Sequence, residues 1–468
     1  MHSLHTFTAP LVAVALALGC RESPTSVRVP TDRPDRPRFH EQDPSDPGAT
    51  GPDVRSKNVK LLASVAGTAS RTSTDLAFAG RYVYAGDYGG FRIIDVSDPE
   101  SPRIVSDVAC SGAQGDVSVY GTLLFQSVDV RQTTRDCTSV DAPLDALTEF
   151  EGIRIFDVSN PASPQLLDFV LTPCGSHTHT LVPDPSRNRV LVYVSSYPAT
   201  SLAGPPCTTA DGFGYISIVE VSLANPAATP KKVWQYFLDA GTESYSTAGF
   251  QVTGCHDITV FLEIKRAAAA CLSETQMWDI SDPEKPRFLW RFDDPAVNRL
   301  NDDIWHSAAF SWDGETVAFG DESGGGGDAR CTNPNDQQGR IWFLSVETGA
   351  LLGSYKIPRA ESGKCTAHNF NFLPLPKGRR VLVSAYYTGG TTIVDVHKLL
   401  GGATAAAAEV GVFRPAGGRV WSSYWYNGLV YTNDMLRGVD VLLLSDNVRS
   451  AARQLPYSNP QTQESIIP

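Results

Sequence analysis

Five of the nine histidines in this chain of 468 residues stand just ahead of short apolar runs. They are His177 and His179 in GSHTHTLV, His256 in GCHDITV, His306 in IWHSAAF and His368 in TAHNFNF. A neutral imidazole offers a lone pair to copper, zinc or iron, so a set of them converging on one space is a candidate transition-metal site. Aligned on the apolar residue that follows, His256, His306 and His368 share one register. His179 falls one position later, in a column otherwise held by Asp75, Asp116 and Asp257, and strand alternation would place His177 on its face. A second reading carries equal weight. Repeats inherit residues by duplication, and in a wet polar passage these rings could bond water or Asp257 without any metal.

The cysteines bear on the same stretches. Apart from Cys20 they fall as neighbours: Cys110 and Cys137, Cys174 and Cys207, Cys255 and Cys271, Cys331 and Cys365. No CxxC occurs, so neither a zinc ribbon nor a thioredoxin-type pair is indicated. An even set in an exported protein reads as local disulfides. Cys174, Cys255 and Cys365 each precede one of the five histidines by one to five residues. Oxidised, they would pin the loops that aim the rings; reduced, they would be soft ligands themselves.

Export is itself an expectation from the N-terminus. Residues 9–19 (APLVAVALALG) have the length and apolarity of a signal-peptide core rather than a membrane span. The run ends in Ala17-Leu18-Gly19-Cys20, which resembles a bacterial lipobox and implies a lipid on Cys20. Residues 21–57 hold seven prolines and few large apolar groups, as a disordered tether would. The expected protein is therefore lipid-anchored in the cell envelope. Its net charge of −12, with no basic cluster in the folded part, argues against nucleic acid or direct contact with an anionic membrane. The partner left open is a protein or small-molecule ligand, with the chain itself expected to be a monomer.

What positions the histidines is a repeat. Phe91-Arg92-Ile93-Ile94-Asp95-Val96-Ser97-Asp98-Pro99 returns as Ile153-Arg154-Ile155-Phe156-Asp157-Val158-Ser159-Asn160-Pro161, and each is followed by a second proline and another apolar run. Weaker copies lie at 216–230 and 276–289, with further relatives at 341–346, 392–396 and 438–444. Each copy is a strand, a turn preset by proline and carboxylate, and a return strand, with two more short strands upstream. Abundant Gly (39) and Pro (32) fit many short strands joined by tight turns. Seven such units predict an all-β, seven-bladed β-propeller over 58–445. The opening run Val59 to Ala66 has no unit of its own, and the last unit lacks a fourth strand, so the N-terminal strand should close the last blade. Residues 446–468 would then be a tail.

These strand–Pro-x-x-Pro–strand units resemble the LVIVD repeat of exported bacterial β-propellers, most clearly in units one, two and four. GCHDI and MWDISDPEKP are similar, more faintly, to pieces of selenium-binding-type propellers, a resemblance that implies copper and thiol oxidation but not a substrate. Asp302 and Asp303 could add a carboxylate to a metal shell. Asp87, Asp129, Asp321, Glu322 and Asp434 read as turn-capping groups. Trp421, Tyr424, Trp425 and Tyr426 read as core for at least half their number, with a ligand platform as the alternative. GxGxxG, HExxH, GxSxG and EF-hand patterns are absent. The sequence alone favours a binding or scaffolding propeller, with a copper- or zinc-dependent enzyme as the alternative.

Overall fold

Each unit's third strand is the apolar run read from sequence: Gly90–Asp95, Phe150–Asp157, Tyr215–Ser222, Glu274–Asp279, Ile341–Ser345, Thr391–Asp395 and Gly438–Leu444. In the clearest copies its closing carboxylate builds the next turn. Asp95, Asp157 and Asp279 accept from the backbone N–H two residues on, at 2.8–2.9 Å. The chain then reverses and pairs back antiparallel, as Arg103–Ala109 does on Gly90–Asp95.

The computed structural model describes residues 48–140, 150–173, 175–196, 214–228, 231–239, 254–272, 274–293, 304–445 and 447–468. Their strands form seven antiparallel sheets of four, three of them extended by a fifth short strand. The inner strands are Ser73–Ala79, Val117–Tyr120, Thr178–Asp184, Ile258–Phe261, Trp305–Phe310, Phe370–Phe372 and Val420–Tyr426. The outer strand of the seventh blade is Val59–Ala66, paired from Val59↔Leu444 to Ala66↔Gly438. Ring closure by the N-terminal strand is thus observed.

Apolar packing lies between blades. One cluster joins Phe91 of the first blade to Phe156 and Leu124 of the second. Another joins Phe78 of the first to Tyr424, Tyr426 and Tyr431 of the seventh. The remaining five interfaces each have their own cluster. With the hydrophobic burial spent between neighbours, the axis is left for polar groups.

Both ends of the expected domain are extended by the structure. Val54–Arg55, expected in the tether, pairs with Arg414 and Phe413 at the edge of the sixth blade. The tail is drawn into the fold: Tyr457–Ser458 pairs with the first inner strand and Thr462–Gln463 with the fourth. Neither segment is apolar enough to betray this in the sequence. Each is held by backbone pairing, which composition does not encode. Disulfides join Cys110 to Cys137, Cys255 to Cys271 and Cys331 to Cys365. Cys20, Cys174 and Cys207 lie outside the described residues, as do Asp302 and Asp303. Among the described residues, no helix is long and apolar enough to cross a membrane.

Candidate metal centre

His177, His256 and His368 stand one or two residues ahead of the third, fourth and sixth inner strands and His306 is the second residue of the fifth, and the ring brings these four imidazoles into one row. His177 Nε2 lies 2.8 Å from His256 Nε2. The His256 and His306 ring centroids are 3.6 Å apart, and those of His306 and His368 are 4.3 Å apart. None of the four is more than 3 % exposed. A channel mouth was expected at these strand starts; the rings instead sit enclosed.

Each of the four holds its Nδ1 on an acceptor, and this fixes the tautomer. His177 Nδ1–H donates to Asp129 at 2.8 Å and His256 Nδ1–H to Asp257 at 3.1 Å. His368 Nδ1–H donates to the Trp421 carbonyl. His306 Nδ1 is 2.6 Å from Ser307 Oγ, whose own proton goes to Asn369 Oδ1 at 3.0 Å, so His306 must be the donor. The Nε2 of His306 and of His368 is therefore a lone-pair nitrogen, while the Nε2 atoms of His177 and His256 contact each other and need a proton or a cation between them. Burial pushes His256 and His306 well below the usual imidazole range and His368 down to about 3, which keeps the rings uncharged.

Two of those lone pairs converge on a carboxylate. His306 Nε2 is 3.5 Å from Glu322 Oε2, and His368 Nε2 is 3.6 Å from Glu322 Oε1. Neither nitrogen has a hydrogen-bond partner. Ligands bonded to one tetrahedral cation at about 2.1 Å stand about 3.4 Å from each other; the two nitrogens approach different oxygens of Glu322, and one ligand atom from each of the three residues lies within 4.8 Å of the others, a group that could hold an ion. His256, Asp257 and His306 form a second group whose ligand atoms lie within 4.8 Å of one another. The fit is chemical as well as spatial: imidazole and carboxylate suit copper and zinc.

Glu322 and Asp129 were read from sequence as turn caps, and both are corrected. Asp321 does cap its loop, accepting from Gly339 N at 2.9 Å and Ser323 Oγ at 2.5 Å. Glu322 is the surplus acid beside it, with Tyr88 and Met435 at the matching positions after Asp87 and Asp434. That surplus was the available signal. Tyr387, which nothing in the sequence marked, donates to Glu322 Oε1 at 2.5 Å from a backbone at φ 46°. A bulky residue adopts that left-handed conformation at a cost.

His179 does not join the row. Its Nδ1 is 2.8 Å from Ser127 Oγ and 3.2 Å from Asp116 Oδ2, which also accepts its backbone N–H. The alternation rule fails for His177, which precedes the strand beginning at Thr178. Two disulfides do flank the row, as expected. Cys255 adjoins His256, and Cys365 ties the strand start of His368 to the loop after Glu322, through Arg330 N–H to Cys365 O at 2.8 Å. Of the aromatic set, Trp421 stands 4.8 Å from the His368 ring, while Tyr424, Trp425 and Tyr426 are inter-blade core. A narrow recess lined by Asp75, Asp116, Thr178, His256, His306, Asn369 and Trp421 reaches the row.

The LVIVD repeat family matches residues 70–110 and 150–172, which are the first blade and the outer half of the second. No curated protein matches the chain. Among solved structures, the computationally designed Ika8 protein aligns at 14 % identity and TM-score 0.44, covering 82 % of this chain and 99 % of its own. The WD40 β-propeller domain of Doa1 aligns at 14 % identity and TM-score 0.46, covering 84 % and 99 %. The blade count here rests on the chain's own strand pairing. This chain carries LVIVD repeats, folded as blades of a seven-bladed β-propeller.

Proposed function

We propose that this propeller is a metal protein of the cell envelope, holding a copper- or zinc-type ion on His306, His368 and Glu322, with His256 and His177 extending the set. One observation carries the reading. The Nδ1 partners leave the Nε2 lone pairs of His306 and His368 facing a carboxylate, with no donor for either nitrogen. Three electron-rich groups gathered in a buried space repel one another unless a cation lies among them. The 2.8 Å contact of His177 Nε2 with His256 Nε2 likewise calls for a shared proton or a cation.

The ion would supply either electron transfer, for copper, or polarisation of a bound water, for zinc. The chain's part is to orient and to enclose. Asp129, Asp257, Ser307 and the Trp421 carbonyl hold the rings, Tyr387 holds Glu322, and burial keeps the imidazoles neutral as ligands. The disulfides suit an oxidising compartment, which supports export; lipidation at Cys20 is part of the same proposal and rests on the Ala17-Leu18-Gly19-Cys20 run alone. The test is metal analysis of protein purified without a nickel column, before and after incubation with copper or zinc. About one ion per chain is expected. Less than about 0.2 per chain after reconstitution would leave a binding propeller without metal as the better reading.

A further inference from the structure

The C-terminal segment does something that neither the repeat nor the histidine row explains. Innermost propeller strands present one unpaired edge to the channel, with N–H and C=O groups that need partners. Residues 457–467 supply them in the first five blades, and residues 453–455 bond the loops that follow the inner strands of the sixth and seventh. Arg453 N–H bonds Pro374 O in the sixth blade, and Leu455 pairs with the Asn427 side chain in the seventh. Phe78 and Ala79 of the first pair with Ser458 and Tyr457. In the second, the Asn459 amide takes both the N–H and the C=O of Val119, each at 2.8 Å. Thr462 Oγ1 donates to Leu181 O in the third at 2.7 Å, and residues 462–463 add a parallel strand to the fourth. Gln463 bonds both backbone groups of Phe310 in the fifth, and Ile467 N–H donates to Trp312 O.

These contacts lie toward the ends of the inner strands, opposite the starts that carry the histidines. Gln461 reaches furthest in, donating to Asp75 Oδ2 at 3.2 Å. Asp75 is also a wall of the recess that reaches His256 and His306. We propose that residues 457–467 are the floor of this recess. They seal the far end of the channel and restrict access to the histidine row to its own end. Asn459 and Gln463 are the latches, since each closes a two-point bond that a partner strand would otherwise make. The seal stands independently of whether a metal is held.

The test compares the full chain with N459A/Q463A by two readouts that need no metal. The first is amide exchange. The N–H groups of Val119, Val260 and Phe310 should exchange at least tenfold faster in the variant, while those of the ring-closing strand Val59–Ala66 keep their wild-type rates and report an intact ring. The second is acylation of histidines by diethyl pyrocarbonate, mapped by mass spectrometry. His256 and His306 should react at least tenfold faster in the variant. Unchanged exchange at the three amides overturns the latch. Faster exchange with unchanged acylation overturns the floor. If the double variant unfolds, the single variants N459A and Q463A carry the same comparison at smaller amplitude.

Discussion

The two ends of the channel are built from the same inner strands and treat their polar groups in opposite ways. At the far end, amide side chains of the C-terminal segment pair off backbone groups one for one, down to both edges of Val119 and Phe310. At the near end, every imidazole has one nitrogen satisfied, and two of the others face Glu322 with no donor. A buried polar atom without a partner is costly, and the two Nε2 atoms left facing a carboxylate are what the proposed metal ion would relieve.

The contrast can be broken most severely by removing the unsatisfied nitrogens. H306A/H368A should lower metal content after reconstitution to less than about a tenth of wild type. Retained metal in that variant would put the ion elsewhere. A smaller effect is expected from Tyr387, which donates to Glu322 and packs its ring 4.6 Å from that of His368. Y387F should weaken metal affinity by about 10–100-fold and shift the ligand-field spectrum of the copper form; an identical spectrum would reduce Tyr387 to packing.

The smallest effect sharpens the satisfied end. Burial, and then the neighbouring Asp116, hold the Asp75 carboxyl well above its ordinary value of 3.8. A carboxyl raised on folding contributes its full stability below that ordinary value and loses it as pH rises. D75N keeps the acceptor for Tyr424, which donates at 2.6 Å, and Gln461 Oε1 is unpartnered and can turn to accept the new amide. The metal-free variant should therefore be more stable than wild type at pH 7, by on the order of 1 kcal/mol, and equal to it below pH 4. Equal denaturation midpoints at pH 7 would show that Asp75 titrates without cost.

Much of this molecule was legible because its repeat encodes local chemistry. The Asp-Val-Ser turn after Phe91 to Asp95 is written in adjacent residues, so all seven third strands could be placed. The closing of the last blade followed from an opening strand without a unit and a unit without a strand. The histidine register followed from the same alignment. The remainder depends on partners far along the chain. The tautomer of His177 is set by Asp129, 48 residues away, and that of His368 by Trp421, 53 residues away. Asn459, 340 residues from Val119, looks in sequence like any polar residue of a loose tail. His179 was grouped with the others because its letter matched, but a one-residue shift turned it toward Ser127 and Asp116.

The clasp formed by Val59–Ala66 on Gly438–Leu444 also dictates an order of assembly. Ser445 bonds Asn58 across 387 residues, so that junction cannot form until almost the whole polypeptide is at hand. The entropy of closing so long a loop grows only slowly with length, but the wait for the last strand does not shorten. Until then the first strand and the seventh blade each present a bare edge, the kind of surface that recruits a second chain instead. A chain threaded across a membrane from its N-terminus would carry that open seam for the whole of its transit and shut it only on arrival.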